Sequence, residues 1–342
     1  MEWDPSQFFR PGGHASPYAL LVLNQPINET AFGVLSEHAS YIICADGGAN
    51  RLYDMLKHHG KESTVVSFFC MGSTPPLPDR IMGDLDSLKP AVKEHYEKLG
   101  VPINKDPDQY STDFTKCLKY LNEHASEIIA SPREQAKNPG LNANSTLEMV
   151  ILGGLGGRVD QAFSQIHHLY MMTQTQRELR ESKQDSSQDK KINTNSSSKP
   201  NQASGGNLYL VSEESITFVL QKGKNIIHTP ATKRPQADIQ QSECDDTLES
   251  RKRKRDQDQG SATETDSADD SPEYLFEENI GIIPLSAPAS ITTHGFEWDV
   301  EDWHTEIGGQ LSTSNHIRAD VVSVETSVPV LFTVELAERL KR

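Results

Sequence analysis

Cysteine is scarce and unpaired. The four in the chain, Cys44, Cys70, Cys117 and Cys244, fall in no Cys-x-x-Cys or metal-ligand spacing, which argues against a disulfide framework or a zinc site. Three of them lie in apolar or helical runs and read as small buried hydrophobes of a reducing compartment. Long apolar runs are absent as well: none approaches the roughly 20 residues of a membrane span, and the N-terminus lacks the apolar core of a signal peptide. A cytoplasmic protein with no membrane partner is expected. Positive charge is also in short supply, with 33 Lys and Arg against 49 Asp and Glu and a net charge of −16. Such a surface repels nucleic-acid phosphates, so no nucleic-acid partner is expected. The apolar share, 35% of 342 residues, is low for a chain with length enough for two domains and separate cores. The deficit is concentrated in two polar stretches.

What is present falls into two halves. From Tyr18 to about Gln176, short apolar runs (18–23, 41–45 and 149–152) read as buried strands. Helical spacing separates them: Phe114, Cys117, Leu118 and Leu121 recur at i, i+3, i+4 and i+7, and Phe163, Ile166, Leu169 and Tyr170 at i, i+3, i+6 and i+7 farther on. Strands alternating with helices predict a mostly parallel, Rossmann-like α/β sheet covered on both faces, assigned to residues 15–176. From Asn207 the helical period disappears, and strands at 208–211, 216–220, 281–285, 291–294 and 320–325 predict an all-β sandwich over 207–342. Two segments, 177–206 and 231–279, are too polar to offset their ordering entropy and are expected to be disordered. The second carries the basic run 251–255 (RKRKR), read as part of a solvated linker in preference to a nuclear import signal. The polar stretch 123–146 is expected to be a long loop.

Four motifs at strand ends carry chemistry. Asp46-Gly47-Gly48 follows a strand directly; glycines there permit a tight turn and close approach of backbone to a ligand, or simply a βα turn with Asp46 as a cap. In Gly83-Asp84-Leu85-Asp86-Ser87, extended backbone would aim both carboxylates at one point, and a cation between them would relieve their repulsion. Mg²⁺, which takes oxygen ligands, suits them; a solvated acidic turn is the plainer alternative. Thr112 reads as a helix N-cap and Asp113 as the first helical residue, a third candidate carboxylate. Gly153-Gly154-Leu155-Gly156-Gly157-Arg158-Val159-Asp160 joins a strand to a helix, so its N–H groups and Arg158 form an anion cradle. It lacks the Lys-Ser/Thr of a P-loop and the third glycine of a dinucleotide fingerprint. In the β half, Trp298 is expected to be a sandwich core residue more than a stacking platform. His167 and His168, adjacent on a helix, are read as surface residues and not as a metal pair.

Taken in order, ADGGANRLYD, GDLDS, DQYSTDFTKCL, GGLGGRVDQ and STSN resemble the eukaryotic thiamine pyrophosphokinase family over about residues 18–176 and 207–335. The resemblance implies an α/β nucleotide-binding domain followed by a β-sandwich, paired as a homodimer with ATP and thiamine bound between subunits. It implies transfer of pyrophosphate from ATP to the thiamine hydroxyl, with Asp84, Asp86 and Asp113 holding Mg²⁺ and Asp46 nearby. Gly47, Gly48, Gln109, Thr112, Gly154, Gly156 and Arg158 match the nucleotide side, and Asp113 or Asp160 would accept the hydroxyl proton. Trp298, Ser312, Ser314 and Asn315 match residues that enclose thiamine, supplied by the other subunit. Tyr110 stands where some members carry a further acid. A Mg²⁺-dependent phosphohydrolase is the alternative, weakened because Leu88 occupies the Thr/Val position of the Asp-x-Asp-x-Thr/Val motif.

Overall fold

The parallel half grows from apolar runs too short for helices and each followed by a turn. In a computed structural model that describes residues 1–10, 16–59, 76–138, 141, 145–189, 205–235 and 273–342, the chain opens with β1 (Glu2–Trp3), followed by β2 (Tyr18–Val22), α1 (Glu29–His38), β3 (Tyr41–Ala45), α2 (Gly48–His59), β4 (Arg80–Gly83), α3 (Pro90–Lys98) and β5 (Ile103–Lys105). Next come α4 (Asp113–Ile129), α5 (Pro132–Lys137), β6 (Leu147–Leu152), α6 (Val159–Asp189) and β7 (Gly205–Val211). All-β chain completes it: β8 (Ser215–Leu220), β9 (Gly223–His228), β10 (Phe276–Pro284), β11 (Ala289–His294), β12 (Trp303–Thr305), β13 (Ser312–His316), β14 (Val321–Thr326) and β15 (Val330–Leu336).

One sheet runs β5-β4-β3-β2-β6-β7-β8-β15-β10-β13. Its first six strands are parallel, and the direction alternates from the β7–β8 pair onward. β2 and β6 are buried along their whole length, as strands covered on both faces must be. A second sheet, β1-β9-β14-β11-β12, packs on the antiparallel end and makes the sandwich. The chain builds β3, β4 and β5 on one side of β2 and then returns to lay β6 on the other. That reversal opens a crevice at the carboxyl ends of the strands.

The expected fold class is present, an α/β half followed by a β-rich half, but the halves do not have separate cores. Residues 208–211, assigned to the sandwich, form the sixth parallel strand, and one buried cluster runs from Leu20 and Ile42 to Phe218, Ile291 and Phe332. The N-terminal strand seals the junction: Trp3 stacks on Phe218 at 4.9 Å and donates its indole N–H to Asn225.

Two polar segments fold where the composition predicts loops. Helix α4 continues past Asn122 because Ala125, Ile128 and Ile129 extend its buried stripe beyond Glu123 and Glu127, and Ser131 caps α5. Helix α6 runs to Asp189, into the segment expected to be disordered from 177. An Arg177–Glu181 pair one turn apart and an Arg180–Asn207 hydrogen bond hold its polar turns. β10 begins at Phe276, inside the other such segment. Residues 205–206 begin β7, and 231–235 are also ordered, with Thr232 bridging to Phe276 and Arg234 pairing with Asp320. Residues 190–204 and 236–272, with Cys70, Cys244 and the RKRKR run, lie outside the described residues; Cys44 and Cys117 are free and buried, as expected. Among the described residues no helix is long and apolar enough to cross a membrane.

Candidate active site

Loops that follow β2, β3, β4 and β6 meet over the crevice. Asp46 leaves β3 with φ of 39°, a left-handed conformation held by its N–H bond to the Met82 carbonyl at 2.9 Å. The residue is 2% exposed. Its Oδ2 accepts the Ser87 N–H at 3.0 Å, while Oδ1 is buried with no partner. Glycine is required on both sides of this carboxylate. A Cβ at Gly48 would lie 2.2 Å from the Val22 carbonyl, and one at Gly83 would lie 2.8 Å from Asp46 Cβ and 2.9 Å from Asp113 Oδ1.

The acids after β4 do not lie on extended backbone. Leu85 takes φ of 65°, so the chain turns between the two carboxylates and the Asp86 N–H folds back onto Asp84 Oδ1 at 3.2 Å. Asp86 is exposed and accepts from Ser87 Oγ at 2.9 Å. Asp113, the first residue of α4 after its Thr112 cap, reaches in from the third side and accepts the Asp84 N–H at 3.2 Å. The trio that converges is therefore Asp46, Asp84 and Asp113, with one oxygen of each inside a 4.8 Å span, and not the Asp84, Asp86 and Asp113 expected from sequence. The turn at Leu85 is the cause: it sends alternate side chains to different sides.

Burial lifts the Asp46 pKa above the usual carboxylate range; the Ser87 N–H opposes this and the fields of Asp113, Asp84 and Asp86 add to it. An orphaned buried oxygen beside two further carboxylates is a donor set for a hard divalent cation such as Mg²⁺. Two residues given no role from sequence hold the trio. Asn50 on α2 donates to the Ser87 carbonyl at 2.8 Å and accepts the Lys89 N–H at 3.0 Å, pinning the loop after β4. Lys116, buried on α4, donates to Asp113 Oδ1 at 3.2 Å. Only their places inside two motifs marked them, since a contact between loops distant in sequence leaves no local pattern.

Around the trio, Asp108 Oδ1 accepts the Tyr110 N–H, leaving Gln109 and Tyr110 exposed at the loop before α4. The glycine loop crosses the end of β2: a Cβ at Gly153 would lie 2.8 Å from the Leu23 carbonyl. Arg158 and Asp160 form a two-pronged pair at 3.0 and 2.6 Å, both well exposed. Leu155 and Gly156 share a cavity of about 490 Å³ with Thr313 and Ser314 of β13. A larger cavity, about 960 Å³, is lined by Tyr53, Lys57, Asp79 and Leu99 and lies at the opposite ends of β4 and β5.

Trp298 is 54% exposed, contrary to the expected core position. Asn315 is the buried partner, accepting the Trp298 N–H at 3.2 Å and donating to its carbonyl at 3.0 Å. This exchange fixes the backbone and leaves the indole on the surface, its ring 5.0 Å from that of His316. Ser312 and Ser314 lie on the same strand as Asn315. His167 is exposed and His168 bonds the Ser164 carbonyl within its own helix.

Two family models match the chain, "Thiamin pyrophosphokinase, catalytic domain" over residues 32–180 and "Thiamin pyrophosphokinase, vitamin B1 binding domain" over 268–331, together more than half of its length. Thiamine pyrophosphokinase 1 of Oryza sativa subsp. japonica is 25% identical over 328 residues, covering 94% of this chain and 88% of that protein. Thiamine pyrophosphokinase of Saccharomyces cerevisiae is also 25% identical, covering 93% and 85%. Among solved structures, thiamin pyrophosphokinase from Candida albicans shares the fold with a TM-score of 0.61 at 23% identity, covering 98% of this chain and 93% of that one.

Proposed function

This chain belongs to the thiamin pyrophosphokinase family, and from the site it builds we infer that it transfers the pyrophosphoryl group of ATP to the hydroxyl of thiamine, giving thiamine diphosphate and AMP. The observation that carries the chemistry is the convergence of Asp46, Asp84 and Asp113 at the strand ends, beside a glycine loop that opens a helix.

Pyrophosphoryl transfer asks for positioning and charge neutralisation more than for covalent help. Asp46, Asp84 and Asp113 would hold Mg²⁺, which when bound neutralises charge on the triphosphate. Exposed Asp86 is left beside them for the cation that travels with ATP. The N–H groups of Gly154 and Gly156 and the guanidinium of Arg158 hold phosphate oxygens in line with the hydroxyl. To do so Arg158 exchanges Asp160 for phosphate, which frees the Asp160 carboxylate. Asp160, the acid outside the metal trio, then takes the hydroxyl proton. Gln109 and Thr112, in the loop before α4, border the nucleotide.

Thiamine lies against Trp298, with Ser312, Ser314 and Asn315 on the neighbouring strand, and a second copy of the chain completes the site. The exposure of Trp298, Val159, Phe163 and Ile307 supports this reading, because apolar surface of that extent is covered in a dimer. The test is an assay of the purified protein with ATP, Mg²⁺ and thiamine. AMP and thiamine diphosphate should form in equal amounts and AMP formation should require thiamine. Free phosphate released without thiamine would mean a hydrolase instead.

A further inference from the structure

Three carboxylates brought to one point need a counter-charge, and the chain supplies one. Lys116 stands one turn into α4 from Asp113 with a side chain 2% exposed. Its ammonium donates to Asp113 Oδ1 at 3.2 Å and to the Asp106 carbonyl at 3.1 Å. Burial works against its charge, and the hydrogen bond to Asp113 with the fields of Asp113, Asp84 and Asp106 overrides it, lifting its pKa above the ordinary lysine value. No other Lys or Arg pairs with the three acids among the described residues.

The hydrogen bonds divide the oxygens evenly. Asp46 Oδ2 takes the Ser87 N–H, Asp84 Oδ1 takes the Asp86 N–H, and Asp113 Oδ1 takes both Lys116 and the Asp84 N–H. Each carboxylate thus has one oxygen engaged by the chain and, among the described residues, one left over. One oxygen from each carboxylate inside a 4.8 Å span, with Asp46 Oδ1 buried and unpartnered, suits a single octahedral ion whose remaining positions go to water or phosphate.

We propose that Lys116 is a positioning residue that acts as the built-in counter-cation of this cluster and limits it to one divalent ion. The inference rests on the reading of Asp46, Asp84 and Asp113 as metal ligands. Three carboxylates carry three negative charges; Lys116 returns one and a divalent ion the other two. Without nucleotide, a second divalent ion would leave an excess of positive charge with only exposed Asp86 beside it. Lys116 also ties the loop at Asp106 to the helix that carries Asp113, so one side chain sets both the aim of the third ligand and the charge it works against.

The test is a titration of the full-length protein with Mn²⁺ in the absence of nucleotide, counting bound ions by the spin resonance of the free metal. The wild type should bind one Mn²⁺ per chain, and Asp84→Asn should abolish that binding. Lys116→Met, nearly equal in volume and neutral, should take up a second ion or bind the first about tenfold more tightly, while Lys116→Arg should behave as the wild type. A folded Lys116→Met protein with unchanged stoichiometry and affinity would overturn the role of Lys116 alone. Two ions lost together in Asp84→Asn, measured against the wild type, would overturn it even if Lys116→Met does not fold. No Mn²⁺ bound by the wild type would overturn the metal reading itself.

Discussion

Asp46, Asp84 and Asp86 differ in what surrounds them, and the difference predicts how each responds to loss of charge. Asp84 lies inside the converging trio and Asp86 outside it, so Asp84→Asn should lower kcat by about 10²-fold or more and Asp86→Asn by clearly less. Steady-state rates at saturating Mg²⁺ decide this, and equal losses would put Asp86 back among the ligands. Asp46 makes a different prediction because its pKa is raised, by burial first and by its acidic neighbours after the Ser87 N–H is discounted. A carboxyl that holds its proton more tightly when folded costs stability as pH rises from its ordinary pKa through its raised one. Asp46→Asn should therefore raise the metal-free Tm at neutral pH, and the gain should vanish as pH falls below the ordinary carboxylate range. Activity should be lost, and added Mg²⁺ should stabilise the wild type but not the variant. Differential scanning fluorimetry across pH reads all of this. The sequence marked these acids by type and place. It did not show the turn at Leu85, because a left-handed leucine has no composition signal; the constraint comes from the contacts around it.

At the scale of elements, the long helix α6 is held to the sheet by Glu148 of β6, Arg180 of the helix and Asn207 of β7. Glu148 accepts the Asn207 N–H at 2.6 Å, and Arg180 donates to the Asn207 side chain at 3.0 Å. Burial pushes the Glu148 carboxyl up to about 7, against the pull of Arg180 and the Asn207 N–H. The folded state therefore keeps a proton that the unfolded chain releases near pH 4.5, and stability falls as pH rises from there to about 7. Glu148→Gln keeps an acceptor for the Asn207 N–H and removes the titration. Denaturation at several pH values should show the variant more stable by about 3 kcal/mol at pH 8, with no advantage at pH 4. An advantage independent of pH would mean the effect is packing. The strands of this half were legible because their apolar runs are short and end in turn residues. The polar turns of α6 were not legible, since Arg180 is fixed by Asn207, a residue 27 positions farther along the chain on another element.

For the whole molecule, the question is how many chains build one site. Trp298 projects from the sandwich and is exposed, so Trp298→Ala should cost little stability, far below the roughly 3–5 kcal/mol of a core tryptophan. It should raise the KM for thiamine several-fold, in line with the roughly 0.5–2 kcal/mol of a contact between a cation and a ring face, and leave the KM for ATP nearly unchanged. Mixing Trp298→Ala with Asp84→Asn chains should restore activity, because one of the two shared sites then carries both lesions and the other none. Failure to recover after verified subunit exchange would put the site within one chain. The sequence by itself determined the class of each half, the order of the motifs and hence the family, because periodicity and turn chemistry are local and the motifs are contiguous. Tertiary structure alone decided that the halves share one sheet and core, that Asp46 replaces Asp86 in the trio, and that Trp298 faces outward. Each of these is a distance between residues far apart in the chain, set by strand order and by which side chain fills the space between two loops.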